Sequence, residues 1–196
     1  MIERFIHRVR VERPAVTEAA AEARVRLADK FPRSALRRMT HLGLLVGAAL
    51  EGIDVGADDA LVYATSYAET RALEDFLTSF PAASPLLFQT SIHPSGAQQV
   101  LIGRQQAVAR VWPLAGRARL VEQALLTALL EPAARCMIVG GEERGTWLLE
   151  QQMASDRAFA FAMELTSESA GAVGRVSSVA LADAAAALKD DECPAL

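Results

Sequence analysis

Two short runs, Leu61-Val62-Tyr63-Ala64 and Cys136-Met137-Ile138-Val139, carry no charged or amide side chain. The turn-like Gly56-Ala57-Asp58-Asp59 precedes the first, and Gly140-Gly141 ends the second. A strand that shows one face to water alternates polar with apolar residues. These two do not, so each must be covered on both faces, as inner strands of a helix-flanked sheet are. The intervening segments fit that demand. Residues 17–29 are Ala- and Glu-rich and helical, stopped by Pro32. Residues 35–51, with Ser34 as N-cap, put Leu36, Met39, Leu42, Val46 and Leu50 at helical spacing. Gly43 and Gly47, one turn apart there, permit close backbone approach. Residues 66–80, 94–103 and 116–131 also read as helices, with 81–85 a loop. Residues 3–13, 107–112, 159–165 and 173–181 read as strands, the last two joined by a Gly-containing turn. Strands alternating with helices favour a mostly parallel sheet covered on both faces.

Composition narrows the function classes. A chain of 196 residues, 52% of them hydrophobic, suits one domain with a sizeable core. A net charge of −4 argues against wrapping nucleic acid or lying on anionic lipid. The longest apolar stretch, Leu42 to Leu50, is about half of the ~18–20 residues a membrane span requires. The first eight residues lack the apolar core of a secretory signal. Cys136 and Cys193 make no disulfide framework and fit a reducing compartment. The expectation is a soluble cytoplasmic protein with one domain over 1–188 and a flexible acidic tail at 189–196. Neither nucleic acid nor membrane is an expected partner.

Local chemistry is sparse. There is no phosphate-binding loop, dinucleotide fingerprint or zinc spacing, so neither metal nor cofactor is expected. Ser91-Ile92-His93-Pro94-Ser95 offers a hydroxyl, Ser91, beside an imidazole, His93, the elements of a small acyl-transfer or hydrolytic site. The same residues also suit the first turn of a helix, with Pro94 near its start. Lys30, Arg33, Arg37 and Arg38 form a basic cluster, either a docking point for an acidic carrier protein or a solvated face. Cys136 sits in an apolar run and reads as an inert thiol. Gly140-Gly141-Glu142-Glu143 leaves a buried strand, and Gly there permits a tight exit.

Three stretches, in order, resemble the N-terminal half of a β-ketoacyl-acyl carrier protein synthase of the thiolase fold. They are Arg37-Arg38-Met39-Thr40-His41-Leu42, Phe88-Gln89-Thr90-Ser91-Ile92-His93-Pro94-Ser95, and residues 134–143, which end in Gly140-Gly141-Glu142-Glu143. The likeness covers roughly 35–145, and more loosely 1–13 and 155–182. It is greatest to the short synthase-like proteins of aryl polyene (xanthomonadin-type) pigment clusters. The resemblance implies a single half-thiolase α/β domain with a mostly parallel five-stranded sheet and helices on both faces. It also implies a dimer strand over Ala107, Val108, Ala109, Arg110, Val111 and Trp112, at the sheet edge.

The same resemblance places the synthase nucleophile, a cysteine at the start of the helix after that strand, at or near Ala115. No Cys, Ser or Thr occurs in 111–126. The family's decarboxylating histidines belong to a C-terminal half that this length does not accommodate. Polar residues Arg119, Glu122, Gln123 and Thr127 stripe the following helix, as a one-sided surface helix requires. The expectation is a non-catalytic partner subunit, a pseudoenzyme akin to a chain length factor, in type II fatty acid/polyketide-type aryl polyene biosynthesis. It would pair with an active synthase or with itself, and an acyl carrier protein is a further expected partner. An enzyme using Ser91 and His93, or a homodimeric acyl-binding scaffold, are the alternatives.

Overall fold

A computed structural model describes residues 2–187. Its strands are β1 (Glu3–Glu12), β2 (Ala60–Thr65), β3 (Arg110–Ala115), β4 (Arg135–Glu142), β5 (Phe159–Thr166) and β6 (Gly174–Ser177). They form one sheet in the order β3-β2-β4-β5-β1-β6. Six strands, not five, are therefore present. β2 pairs in parallel with both β3 and β4, whereas β5 is antiparallel to β4 and β1, and β6 is antiparallel to β1. Four strands thus point one way and two the other. Because β5 enters between β4 and β1, only the β3-β2-β4 half of the sheet has parallel neighbours. The two fully apolar runs form β2 and β4 of that half, and every residue of β2 is buried.

Helices cover both faces. On one lie α1 (Ala20–Arg26), α2 (Arg33–Leu36), α3 (His41–Ala49) and α6 (Ser95–Gly103), packed over Leu61, Tyr63, Met137 and Val139. On the other, α7 (Leu120–Leu130) packs over Val62, Ala64, Cys136 and Ile138, and α8 (Ser178–Ala187) contacts α7. Nothing on α3 faces water: all nine residues are buried. Gly47 belongs to that packing, since a Cβ there would lie 2.4 Å from the Phe31 ring. What approaches Gly43 and Gly47 most closely is side chain, Gln99 and Phe31, rather than a neighbouring backbone.

Several boundaries differ from the expectation. Residues 35–51 are not one helix. The chain leaves α2 after Leu36, and Thr40, not Ser34, caps α3 by accepting from the Gly43 amide at 3.1 Å. Residues 81–85 lead into an unexpected helix, α5 (Pro85–Thr90), capped by Ser84 with Pro85 in its first turn. The helix expected over 66–80 is α4 (Thr70–Thr78). α7 starts four residues later than 116, because Gly116 (φ 144°) and Arg119 (φ 56°) are left-handed. The strand expected over 173–181 stops at Ser177, whose hydroxyl accepts from Ala180 N–H at 3.2 Å as the Ala-rich α8 begins. The acidic tail lies outside the described residues. Among those described, no helix is long and apolar enough to cross a membrane.

Candidate functional site

The parallel strands β2, β3 and β4 bring their carboxyl ends to one side, where open parallel sheets place ligand-handling groups. The dimer-strand residues divide there. Arg110, Val111 and Trp112 open β3, while Ala107, Val108 and Ala109 precede it, and Pro113 lies inside the strand instead of closing it. Ala60 starts β2 and pairs with Arg110, and the pairing runs on to Thr65 opposite Ala115, so β3 extends through Pro113. β3 is an edge strand. Gly116 N–H donates to Thr65 O at 3.2 Å. Counting back by twos, the amides of 114, 112 and 110 face β2, and positions 115, 113 and 111 face the open edge. Pro113, lacking an N–H, occupies an edge-facing position, where proline is tolerated.

Arg110 and Trp112 are held from the α7 side. Both donate to the buried Glu131 carboxylate, Arg110 Nε at 2.8 Å and Trp112 Nε1 at 2.6 Å. Burial alone would raise the Glu131 pKa; these hydrogen bonds outweigh it and hold the carboxyl below its ordinary value. Trp112 still exposes 42% of its surface, and on α7 Leu126 and Leu130 are exposed as well. Ala115 ends β3 opposite Thr65, exposed, with Gly116-Arg117-Ala118-Arg119 between it and α7. The polar stripe on α7 faces outward in part: Gln123 is exposed, and Arg119 pairs with Glu122 at 2.6 Å.

Inside the strand ends lies a polar cluster that sequence reasoning did not assemble. Glu69, just before α4, is fully buried and joins three elements. Tyr63 Oη of β2 donates to its Oε1 at 3.2 Å, Gly96 N–H of α6 donates to Oε1 at 3.0 Å, and His93 Nδ1 lies 2.9 Å from Oε2. The His93 ring stacks on Tyr63, centroids 5.0 Å apart. Glu142 and Glu143 complete the cluster. Ser66 N–H donates to Glu142, and Leu42 N–H donates to Glu143 at 3.1 Å. Burial pushes both carboxyls up to about 7. Burial, then the neighbouring Glu69 carboxylate, drives the Tyr63 phenol well above its ordinary value, so it stays neutral.

Ser91 and His93 do not form a nucleophile and base. Ser91 Oγ donates to Phe88 O at 2.8 Å, closing the last turn of α5, while His93 is committed to Glu69. The orienting acid is thus present without its hydroxyl. The basic cluster also divides. Lys30 is paired with Glu51 at 2.5 Å, Arg33 is exposed on α2, and Arg37 and Arg38 line a cavity of about 610 Å³ between α1, α4 and α5. Cys136 is buried, and burial pushes its thiol up to about 12. Among the described residues, no three His, Cys, Asp or Glu side chains stand where they could hold a metal.

No protein-family model matches this sequence. No curated protein matches it either. Solved structures do. A ketosynthase in complex with its chain length factor from Xenorhabdus doucetiae matches with a TM-score of 0.64 at 19% identity, over 87% of this chain and 81% of that one. The ishigamide ketosynthase/chain length factor matches at 0.62 and 14% identity, over 89% of this chain and 64% of that one. A β-ketoacyl synthase from Burkholderia phymatum matches at 0.57 and 13% identity, over 85% and 59%. The chain therefore spans less than two thirds of the last two. At these identities the likeness is one of fold: the chain shares the fold of β-ketoacyl synthase-like structures.

Proposed function

We propose that this chain is a non-catalytic synthase-like partner subunit, akin to a chain length factor, in polyketide-type biosynthesis of the aryl polyene kind. It works in the cytoplasm beside an active ketosynthase and an acyl carrier protein. The observation that carries the proposal is Ala115, exposed at the end of edge strand β3, with no Cys, Ser or Thr anywhere from 111 to 126. A condensing enzyme needs a thiolate there, and a methyl group cannot form a thioester. Support for a partner comes from the open edge itself. Unpaired N–H and C=O groups on β3 invite another strand. β3 carries the half-exposed Trp112, and α7 the exposed Leu126 and Leu130. Large aromatics of this kind anchor interfaces. The three solved relatives add that two are described as ketosynthase and chain length factor together.

The test is co-purification with a full-length ketosynthase from the same genome. The amide of residue 111 faces the open edge, so Val111→Pro removes an outward donor and leaves the hydrogen bonds to β2 in place. Wild type should sediment as a complex with the ketosynthase. Val111→Pro, folded by circular dichroism, should lose it. A folded Val111→Pro that keeps the full complex mass would remove strand pairing from the proposal. The hydrolytic reading receives no support from Ser91, whose hydroxyl is spent on Phe88 O.

A further inference from the structure

The cavity between α1, α4 and α5 lies apart from β3, and its lining is of two kinds. Met39, Ala72, Leu86, Leu87 and Leu149 supply aliphatic wall, His41 is the one lining ring, and no Phe, Tyr or Trp takes part among the described residues. Arg24, Arg37, Arg38, Arg71 and Arg144 supply charge. The acids on the same lining are largely engaged: Glu18 holds Arg26 at 2.6 Å, and Asp75 pairs with Arg71 at 3.4 Å. Among the described residues, no hydrogen bond or ion pair occupies the side chains of Arg37, Arg38 or Arg144, and all three are exposed and line the cavity. Two further lining groups carry buried polar atoms without a partner. Arg24 spends Nη2 on Met39 O at 3.0 Å, but its Nε has no acceptor. Glu143 accepts from Leu42 through Oε2, while its Oε1 has no partner. Buried polar atoms in folded proteins are nearly always satisfied, so the orphan Arg24 Nε–H on this cavity points to an acceptor that completes it.

We propose that this cavity binds a phosphate-headed aliphatic small molecule, a phosphomonoester whose dianion meets Arg24, Arg37, Arg38 and Arg144 and whose chain lies against Met39, Leu86, Leu87 and Leu149. Several guanidiniums on one cavity lining suit a dianion with three acceptor oxygens better than a monocarboxylate. With no Phe, Tyr or Trp on the lining to stack on, a nucleobase or aryl body is disfavoured. The volume of about 610 Å³ lies within the range of small-molecule sites and far exceeds a bare phosphate. This site is independent of the pairing proposed above and is measured on the chain alone.

Titration calorimetry with octyl phosphate tests it, with inorganic phosphate, octanol and octanoate as separate arms. Octyl phosphate should saturate one site with a Kd below about 1 mM. Each of the other three should bind at least about tenfold more weakly, since each lacks the chain, the head or the second charge. Arg38→Glu with Arg144→Glu should weaken octyl phosphate by about tenfold or more. Leu87→Trp, which fills the cavity without touching charge, should abolish binding. Failure of octyl phosphate to saturate would overturn the proposal. So would equal binding of any other arm, or unchanged binding by the arginine variant and Leu87→Trp when both melt like wild type.

Discussion

Glu142 and Glu143 are ionisable groups kept from water, and burial raises both to about 7 from an ordinary 4.5. The unfolded chain therefore ionises them first. Between about pH 4.5 and 7 the folded state binds more protons than the unfolded, so stability is fully present below that window and falls as pH rises through it. Glu143→Gln keeps an acceptor for Leu42 N–H and removes the charge. It should stabilise the protein by on the order of 1–3 kcal/mol at pH 8 and leave pH 5 nearly unchanged, read from urea unfolding at both. Ala115→Cys poses the opposite question. A thiol at the end of β3 does not by itself decarboxylate an extender or polarise a carbonyl. Condensation by this variant alone should stay at background in a product assay. The Gly140-Gly141-Glu142-Glu143 motif could be seen in the sequence because four special residues adjoin. Glu69 could not, since its partners Tyr63, His93 and Gly96 come from other segments and nothing in the local pattern ties them together.

Among elements, the inner strands were the most legible, because a short apolar run bounded by turn residues suits little besides a strand covered on both faces. Gly140 shows how tightly they meet: a Cβ there would lie 1.8 Å from Ala64 O of β2. Gly140→Ala must part β2 from β4 and should cost about 3 kcal/mol or more in chemical denaturation. Edge strand β3 was legible in kind but not in register. Its exposed positions carry no hydrophobic period, and Pro113, which ends a central strand, is allowed in an edge-facing position. The single expected helix over 35–51 concealed a break at Arg37-Arg38-Met39, since the spacing of Leu36, Met39 and Leu42 is helical whether or not the backbone is. Glu131 ties β3 to α7 through Arg110, Trp112 and the Ala133 amide. Glu131→Gln should lose about 2 kcal/mol of stability, discounted for the partial exposure of Arg110, and should loosen Trp112, visible as a fluorescence red shift.

For the molecule as a whole, α3 and α6 close one face of the sheet, while the outer surface of α7 and the β3 edge remain open among the described residues. The layer plan followed from strand and helix alternation. The reversal of β5 did not, because apolar alternation is blind to strand direction, and only the order β3-β2-β4-β5-β1-β6 reveals it. The proposed non-catalytic partner role rests on the alanine at the end of edge strand β3. Native mass spectrometry of this chain mixed with a full-length ketosynthase from the same genome and an acyl-loaded carrier protein measures assembly and acylation together. The expected spectrum shows a complex of the two chains, with the acyl mass on the ketosynthase and none on this chain. An acyl adduct on this chain, or the absence of any complex across the concentration range in which the ketosynthase is itself assembled, would contradict it.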